Sequence, residues 1–416
     1  MKMTTHKSRY SLVATAILVF VAMMVVMSTV SATDYYISPY GNDDDDGLSI
    51  STSKESISNV TNEAISGDTI YLSNGLYEGL KNREITINKS LTYVGENKDT
   101  TIILVEGEGR MFTILPDHTV SFINITFIGG NSNNGGAIYN KGGSLTINEC
   151  VFEGNIAYNS GGAIFNEWGY GLKIENSIFK DNAALGSGGA VYNFYGDKFT
   201  IILSQFLNNY AGNAGGAVFN EHGHDFKVKL CEFTENTAEN SGGAFYTFHA
   251  DRVTVTNSVF ASNEAVRTSG GAIFNEHGDD FTVTKSEFIG NIAAIYGGAI
   301  DTFHGDRITL SFNTFSENKA SFGGAIFNEH GDDLIINTCE FIKNIARYGA
   351  VLYNFHGVRT TIILPTLTDN VAEWGAGEFL FNEWSREVKI ELLNDQESVL
   401  NGIHTTIPDE ITVDFV

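Results

Sequence analysis

Positive charge is scarce in this 416-residue chain: 25 Lys and Arg stand against 50 Asp and Glu. Three of the bases (Lys2, Lys7, Arg9) lie in the first 32 residues, which contain no acid. The remaining 384 residues therefore hold 22 bases and 50 acids, a formal charge of −28. Phosphate recognition needs a surplus of Lys and Arg, so a nucleic-acid binder is excluded. Cysteine is rare as well, and three in a chain of this length make no disulfide scaffold. Proline is limited to 4 residues, and the 44 glycines follow no period of three, which excludes collagen. Disorder is excluded by what is present: 42% of residues are hydrophobic and 12% aromatic, enough for a core. Apolar runs of membrane length are absent after Val30.

The amino terminus reads as an address. Lys2, Lys7 and Arg9 precede an apolar run from Leu12 to Val30, and Val30-Ser31-Ala32 offers a small-residue cleavage site. Residues 1–32 are therefore expected to be a signal peptide. An uncleaved anchor is the rival reading and would be the chain's one attachment to a membrane. Either places the rest outside the cytoplasm.

Length alone suggests two or three domains, but internal repeats override that prior. Gly-Gly-Ala recurs from Gly135 to Gly323, with degenerate copies at Gly349 and Gly375, in steps of 26 to 28 residues. A second signature, Phe-x-x-Asn-x-Ala, keeps the same step from Phe152 to Phe341, with asparagines from Asn155 to Asn344 and a weaker copy at Asn370. Segments before each Phe alternate apolar and polar, as in Val253-Thr-Val255 and Phe281-Thr-Val283. That period of two marks strands with one buried face. Units of about 27 residues are too short for propeller blades and lack the leucine-rich pattern. They suit one turn of a parallel β-helix, giving an all-β fold of about a dozen coils, about 60 Å long.

Stacked coils give each column a meaning. The asparagines form an amide ladder, the phenylalanines stack in the core, and Gly-Gly makes a corner too tight for a side chain. Cys150, Cys231 and Cys339 share a column with Ser177, Ser204, Ser258 and Ser286, three or four coils apart, too far for a disulfide. Free, inert thiols are expected. Lys198, Asp225, Arg252, Asp280, Arg307, Asp333, Arg359 and Glu387 flip sign at every step, which fixes register and points to a duplicated pair of coils. Residues 33–118 are expected to form an amino-terminal cap and first coils, 119–387 the repeat array, and 388–416 a carboxy-terminal cap.

Gly-Gly-Ala-Ile followed by Phe-x-x-Asn resembles the repeats of the chlamydial polymorphic outer membrane proteins. The leader (Ile37-Ser-Pro-Tyr-Gly-Asn-Asp, Gly67-Asp-Thr-Ile-Tyr-Leu, Gly75-Leu-Tyr) is similar to methanogen adhesin-like surface proteins. The resemblance covers roughly residues 35–390. It implies a right-handed, pectate-lyase-like β-helix, exported and displayed, and says little about activity. No carboxy-terminal barrel, stalk or wall anchor of those families is read in this sequence.

No Ser/His/Asp order, CxxC pair or phosphate loop is found, and nearly every polar residue of note recurs in each coil. His118, His224 and Asp301 are lone outliers without evident partners. The expectation is an adhesin-like protein that binds an extracellular glycan or surface protein as a monomer, without catalysis. The alternative is a polysaccharide lyase or glycoside hydrolase on the same scaffold. Two candidate binding rows appear. One is the turn column Trp168, Tyr195, His222, His249, His277, His304, His330, His356 and Trp384. Its six histidines read as a stacked turn column, with metal binding or pH response as alternatives. The other is Phe194, Phe248, Phe303 and Phe355, a strip able to face sugar rings or a partner. Asn42, Asp44 and Asp46, with Gly47, match part of a calcium loop, Ser53 standing where Glu is needed. A solvated acidic turn competes with Ca²⁺ there, and no other cofactor is indicated. Asn59, Asn88 and Asn124 begin glycosylation sequons.

Overall fold

A computed structural model describes residues 31–416; the signal-peptide reading falls almost entirely outside them. The described chain winds into a parallel β-helix. Three long sheets of fifteen, thirteen and twelve strands run its length, and a fourth of seven short strands fills one corner. One coil shows the plan. Val191–Phe194 lies in the thirteen-stranded sheet, which carries the Gly-Gly-Ala strands. Thr200–Ile202 follows in the fifteen-stranded sheet, Gln205–Leu207 in the twelve-stranded one and Tyr210–Ala211 in the short one. Every strand pairs with its counterpart one repeat away, Asn193 with Asn166 and Asn220, Phe206 with Phe179 and Phe233.

Winding explains the periodicity. Val191, Ile201 and Phe206 of this coil are fully buried and join one continuous core. The signature phenylalanines stack within it: Phe179, Phe206 and Phe233 lie 4.8 Å apart with rings within 5° of parallel. At the Gly-Gly corner the first glycine takes a left-handed backbone (Gly188, φ +67°), and a Cβ on the second, Gly189, would sit 2.0 Å from the Gly216 carbonyl. Only glycine fits that approach.

The other three corners are each lined by a buried polar file. Asn209 donates its amide to Asn236 Oδ1 (2.9 Å) and to the Phe179 carbonyl (3.0 Å), while Asn236 Oδ1 also accepts from the Asn209 backbone N–H (3.0 Å). The same bonds repeat from Asn155 to Asn370. A second file runs Asn140, Asn166, Asn193 and Asn220, joined by amide bonds of 2.6 Å. In the third, the Ser204 hydroxyl accepts from the Ser177 N–H at 3.1 Å. Cys150, Cys231 and Cys339 belong to this third file. All three are free and buried, and burial pushes their thiols up to about 12, 11 and 11. A thiol so far from its thiolate is inert.

The ends are covered differently. Helix α1 (Ile57–Glu63) buries Ile57 and Val60 against the first coils, in one cluster with Ile37, Ile70 and Ile85. At the far end Ile411–Phe415 pairs with Val388–Leu392, and Val399, Leu400 and Ile403 pack against the core. On the surface the alternating charges meet in pairs: Arg252 makes two bonds to Asp225, Arg307 to Asp280 and Arg359 to Asp333. The polar files and this charge row differ in weight. Asn236→Ala strands buried donors and acceptors on both sides and is expected to lower stability by at least about 2 kcal/mol. Arg252→Ala removes an exposed pair and should leave the urea midpoint near wild type. Equal midpoint shifts in the two variants would contradict this ranking.

Candidate functional site

The turn column and the phenylalanine strip lie side by side on one edge of the rod. Trp168 to His356 form an unbroken pile of rings. Trp168 and Tyr195 are 4.3 Å apart, Tyr195 and His222 4.4 Å, and each later imidazole lies 4.8–5.2 Å from the next, within 14° of parallel. Each of these residues, and Trp384, has a left-handed backbone, φ between +51° and +59°. Such bends are costly for non-glycine residues and persist where surrounding contacts hold them. Here the ladder bond from each turn N–H, such as His222 N to the Phe248 carbonyl at 2.9 Å, does so.

Phe194, Phe248, Phe303 and Phe355 are half-buried rather than an open row. Each meets the adjacent ring of the pile edge-on, with centroids 4.3–4.6 Å apart. Glu167, Glu221, Glu276, Glu329 and Glu383 alternate with them in the same column. The edge is exposed at both ends and between them: Trp168 (59%), Tyr170 (56%) and Trp384 (53%) stand in solvent with Tyr195, His249, His304, His330 and His356, and Lys198 lies over the Tyr170 ring.

A third outward column is the part that sequence reasoning missed. Tyr139, Phe165, Tyr192, Phe219, Tyr246, Phe274, Asp301, Phe327, Tyr353 and Phe381 occupy the second position of the Gly-Gly-Ala strands, in register. Tyrosine falls in every second coil and gives its hydroxyl to the glutamate of the next: Tyr139 to Glu167, Tyr192 to Glu221, Tyr246 to Glu276 and Tyr353 to Glu383. The signal was legible as the Tyr/Phe alternation three residues after each Gly-Gly.

The remaining candidates resolve individually. The oxygens of Asn42 and Asp46 in the acidic loop accept hydrogen bonds from within the loop. Asn42 Oδ1 accepts from the Asp44 N–H (3.2 Å), and Asp46 Oδ1 takes the Leu48 N–H (3.0 Å) and the Thr52 hydroxyl (2.6 Å). The ammonium of buried Lys54 sits under the loop, bonded to the Asp43 carbonyl (3.1 Å) and Glu63 (3.1 Å). Among the described residues no group of three or more His, Cys, Asp or Glu is disposed to hold a metal ion. His224 belongs to a file of turn aspartates: its N–H is capped by Asp197 (2.9 Å), and its Nδ1 accepts from the Asp251 N–H (3.0 Å). Of the sequon asparagines only Asn88 is exposed.

Burial first, then the imidazoles of His249 and His304, holds His277 below its ordinary value. A histidine depressed in the fold binds fewer protons there than when unfolded, so its contribution to stability is lost as pH falls through about 6.5 and below. Between about pH 7.5 and about pH 5.5 the urea midpoint should therefore drop further in the wild type than in His277→Asn, whose residue tolerates the same backbone. The raised carboxyls Glu276, Asp301 and Glu329 titrate with the opposite sign but are common to both proteins. Parallel pH profiles would count against the depressed imidazole.

The Chlamydia polymorphic membrane protein repeat matches residues 149–167, 230–247 and 314–329, each running from near a signature Phe toward the following Gly-Gly-Ala strand. No curated protein matches in sequence. Among solved structures, the GH136 lacto-N-biosidase from Eubacterium ramulus aligns at 11% identity with TM-score 0.53, over 84% of this chain and 69% of that one. Pectate lyase Pel9A aligns at 18% identity and TM-score 0.39, over 75% and 78%. DFA-IIIase from Arthrobacter chlorophenolicus A6 aligns at 12% and 0.42, over 84% and 88%. The likeness to the first is one of fold. The chain is thus a parallel β-helix protein with three segments that match the Chlamydia polymorphic membrane protein repeat.

Proposed function

We propose that this is an exported, surface-displayed β-helix that binds an extracellular glycan or a surface protein without catalysis. The reading is carried by one observation: a continuous aromatic and imidazole ridge runs along one edge, open to solvent at Trp168 and Tyr170. Side-by-side rings on a rigid scaffold present flat apolar faces at fixed spacing, which suits sugar rings or an extended partner. The basic-then-apolar amino terminus and the −28 charge of the remainder support export and a well-solvated exterior. The polymorphic membrane protein repeats support display at a surface.

A glycan array and a panel of surface-protein extracts, run beside a polysaccharide-degradation screen, test the reading. Saturable binding without released products is expected. Trp168→Ala with Tyr195→Ala should weaken it about tenfold or more, as loss of stacking contacts does elsewhere. Release of oligosaccharide products would instead establish a carbohydrate-active enzyme on this scaffold.

A further inference from the structure

The outward aromatic column is broken once. The two-coil alternation that gives Tyr139, Tyr192, Tyr246 and Tyr353 places the remaining tyrosine of the series at position 301, where the chain has Asp301. Two consequences follow from the register. Glu329 lacks the tyrosine hydroxyl that Glu167, Glu221, Glu276 and Glu383 each receive. Asp301 is set between Phe274 and Phe327, only 3% exposed, and its Oδ1 has no hydrogen-bond partner. A buried acceptor left unpaired is expensive and rare.

The surroundings are equally out of pattern. The residue just before Gly-Gly is Ser241 and Ser269 in earlier coils but becomes Tyr296, Phe322 and Tyr348 from this point on. Tyr296 lies against Phe327, centroids 4.6 Å apart, and the charges of Glu329 and Asp301 both act on its phenol. Beside it opens a groove of about 270 Å³ lined by Tyr296, Phe322, Phe327, Glu329, Tyr353, Phe355 and Glu383; Asp301 lies beneath the lining and does not reach it. Burial, opposed by a hydrogen bond from Ser269 and reinforced by Glu329 and Glu276, drives the Asp301 carboxyl well above the ordinary range, and burial raises Glu329 against the pull of His330, His304 and His356. Among the described residues neither Asp301, Glu329 nor Glu276 is in an ion pair.

We propose that Asp301 and Glu329, walled by Tyr296, Phe327, Tyr353 and Phe355, bind the ammonium end of an alkylamine, with rotation of the Tyr296 ring admitting it to Asp301. An ammonium supplies the hydrogen-bond donor that Oδ1 lacks, neutralises two neighbouring acids, and is attracted to aromatic faces. A neutral hydroxyl would satisfy the acceptor but could not draw the proton off Asp301, as an ammonium shared with Glu329 does. A metal ion would need a third convergent ligand, which the described residues do not provide. The site shares Phe355 with the ridge but none of Trp168, Tyr170 and Tyr195, so variants at Asp301 and at Trp168 test it apart from the adhesive reading.

Calorimetric and NMR titration of the purified chain tests this with four probes: n-butylammonium, Nα-acetyl-lysine methylamide, n-butanol and methyl β-glucoside. Saturable binding of n-butylammonium is expected, with none for n-butanol. Binding of the lysine derivative as well would identify a protein side chain as a usable source, and its failure a free amine. Asp301→Asn and Glu329→Gln should each weaken the complex about tenfold or more. Asp301→Tyr, which restores the repeat, should abolish binding while melting at or above the wild-type temperature. Should Asp301→Asn fail to fold, Glu329→Gln at a half-buried position still decides. The proposal is overturned by no saturable binding of n-butylammonium, by equal binding of n-butanol, by tighter binding of the glucoside, or by unchanged affinity in the folded variants.

Discussion

A coil that turns through three faces must bend its backbone inside the molecule, and the polar groups freed at each bend cannot reach water. Everything else in the structure is conditioned by that requirement. Parallel coils stand about 4.8 Å apart, close to the reach of a side-chain amide, so at two of the corners an asparagine can pair with the next coil and also cap a carbonyl. Asn209 illustrates the economy: its amide nitrogen gives two bonds, and the Oδ1 of Asn236 takes two. Because each bond runs to a neighbour of the same type, the solution works only in series. An isolated coil would leave half of every pair unmet, which is why the repeat cannot vary these positions freely and why the array needs covered ends.

Where the chain faces outward the constraint relaxes, and the period doubles. Arg-to-Asp pairs, Tyr-to-Glu bonds and the Phe/Glu alternation all repeat every second coil. A uniform column of like charges repels itself at this spacing, which the turn aspartates offset with backbone N–H bonds such as Asp279 N–H to Asp251 (3.2 Å), whereas alternation turns each neighbour into a partner. The same alternation forbids slippage by one coil, since a shift would set like against like. Register is thus held twice, by buried amides that accept any neighbour of their kind and by surface pairs that accept only the opposite.

Features that leave a periodic trace were readable before the fold was known: the Asn and Phe columns, the sign-alternating row, and the Cys positions among serines. What escaped reading did so for physical reasons. The short fourth sheet has strands of two residues, such as Ala183–Ala184, too brief to show an alternation. Asn193 and its equivalents were visible only as turn residues, because inward orientation depends on where the strand before the turn begins. The calcium-like loop was read by counting oxygens, and a count does not show the ammonium of Lys54, which bonds the Asp43 carbonyl from below the loop. Asp301 stood out as a residue without partners. Its neighbours Glu329 and Phe274 are 28 and 27 positions away in the chain, and only winding brings them beside it.

In a molecule built this way a repeated residue is explained by its neighbours of the same kind, and its presence says little about any ligand. Information about function must therefore sit where the series is broken at a cost. The break from imidazole to Tyr195 and Trp168 exposes large rings that the stack itself does not require, since histidine fills the same turn for six coils. The break at Asp301 is of another kind: it exchanges a hydrogen-bonded tyrosine for a buried acid and leaves two carboxyls without counter-charges. Neither change is favoured by stacking. Burying Asp301 with its Oδ1 unpaired runs directly against the rule that satisfies the corners of the coil, and a cationic donor from outside the repeat is what would offset that cost.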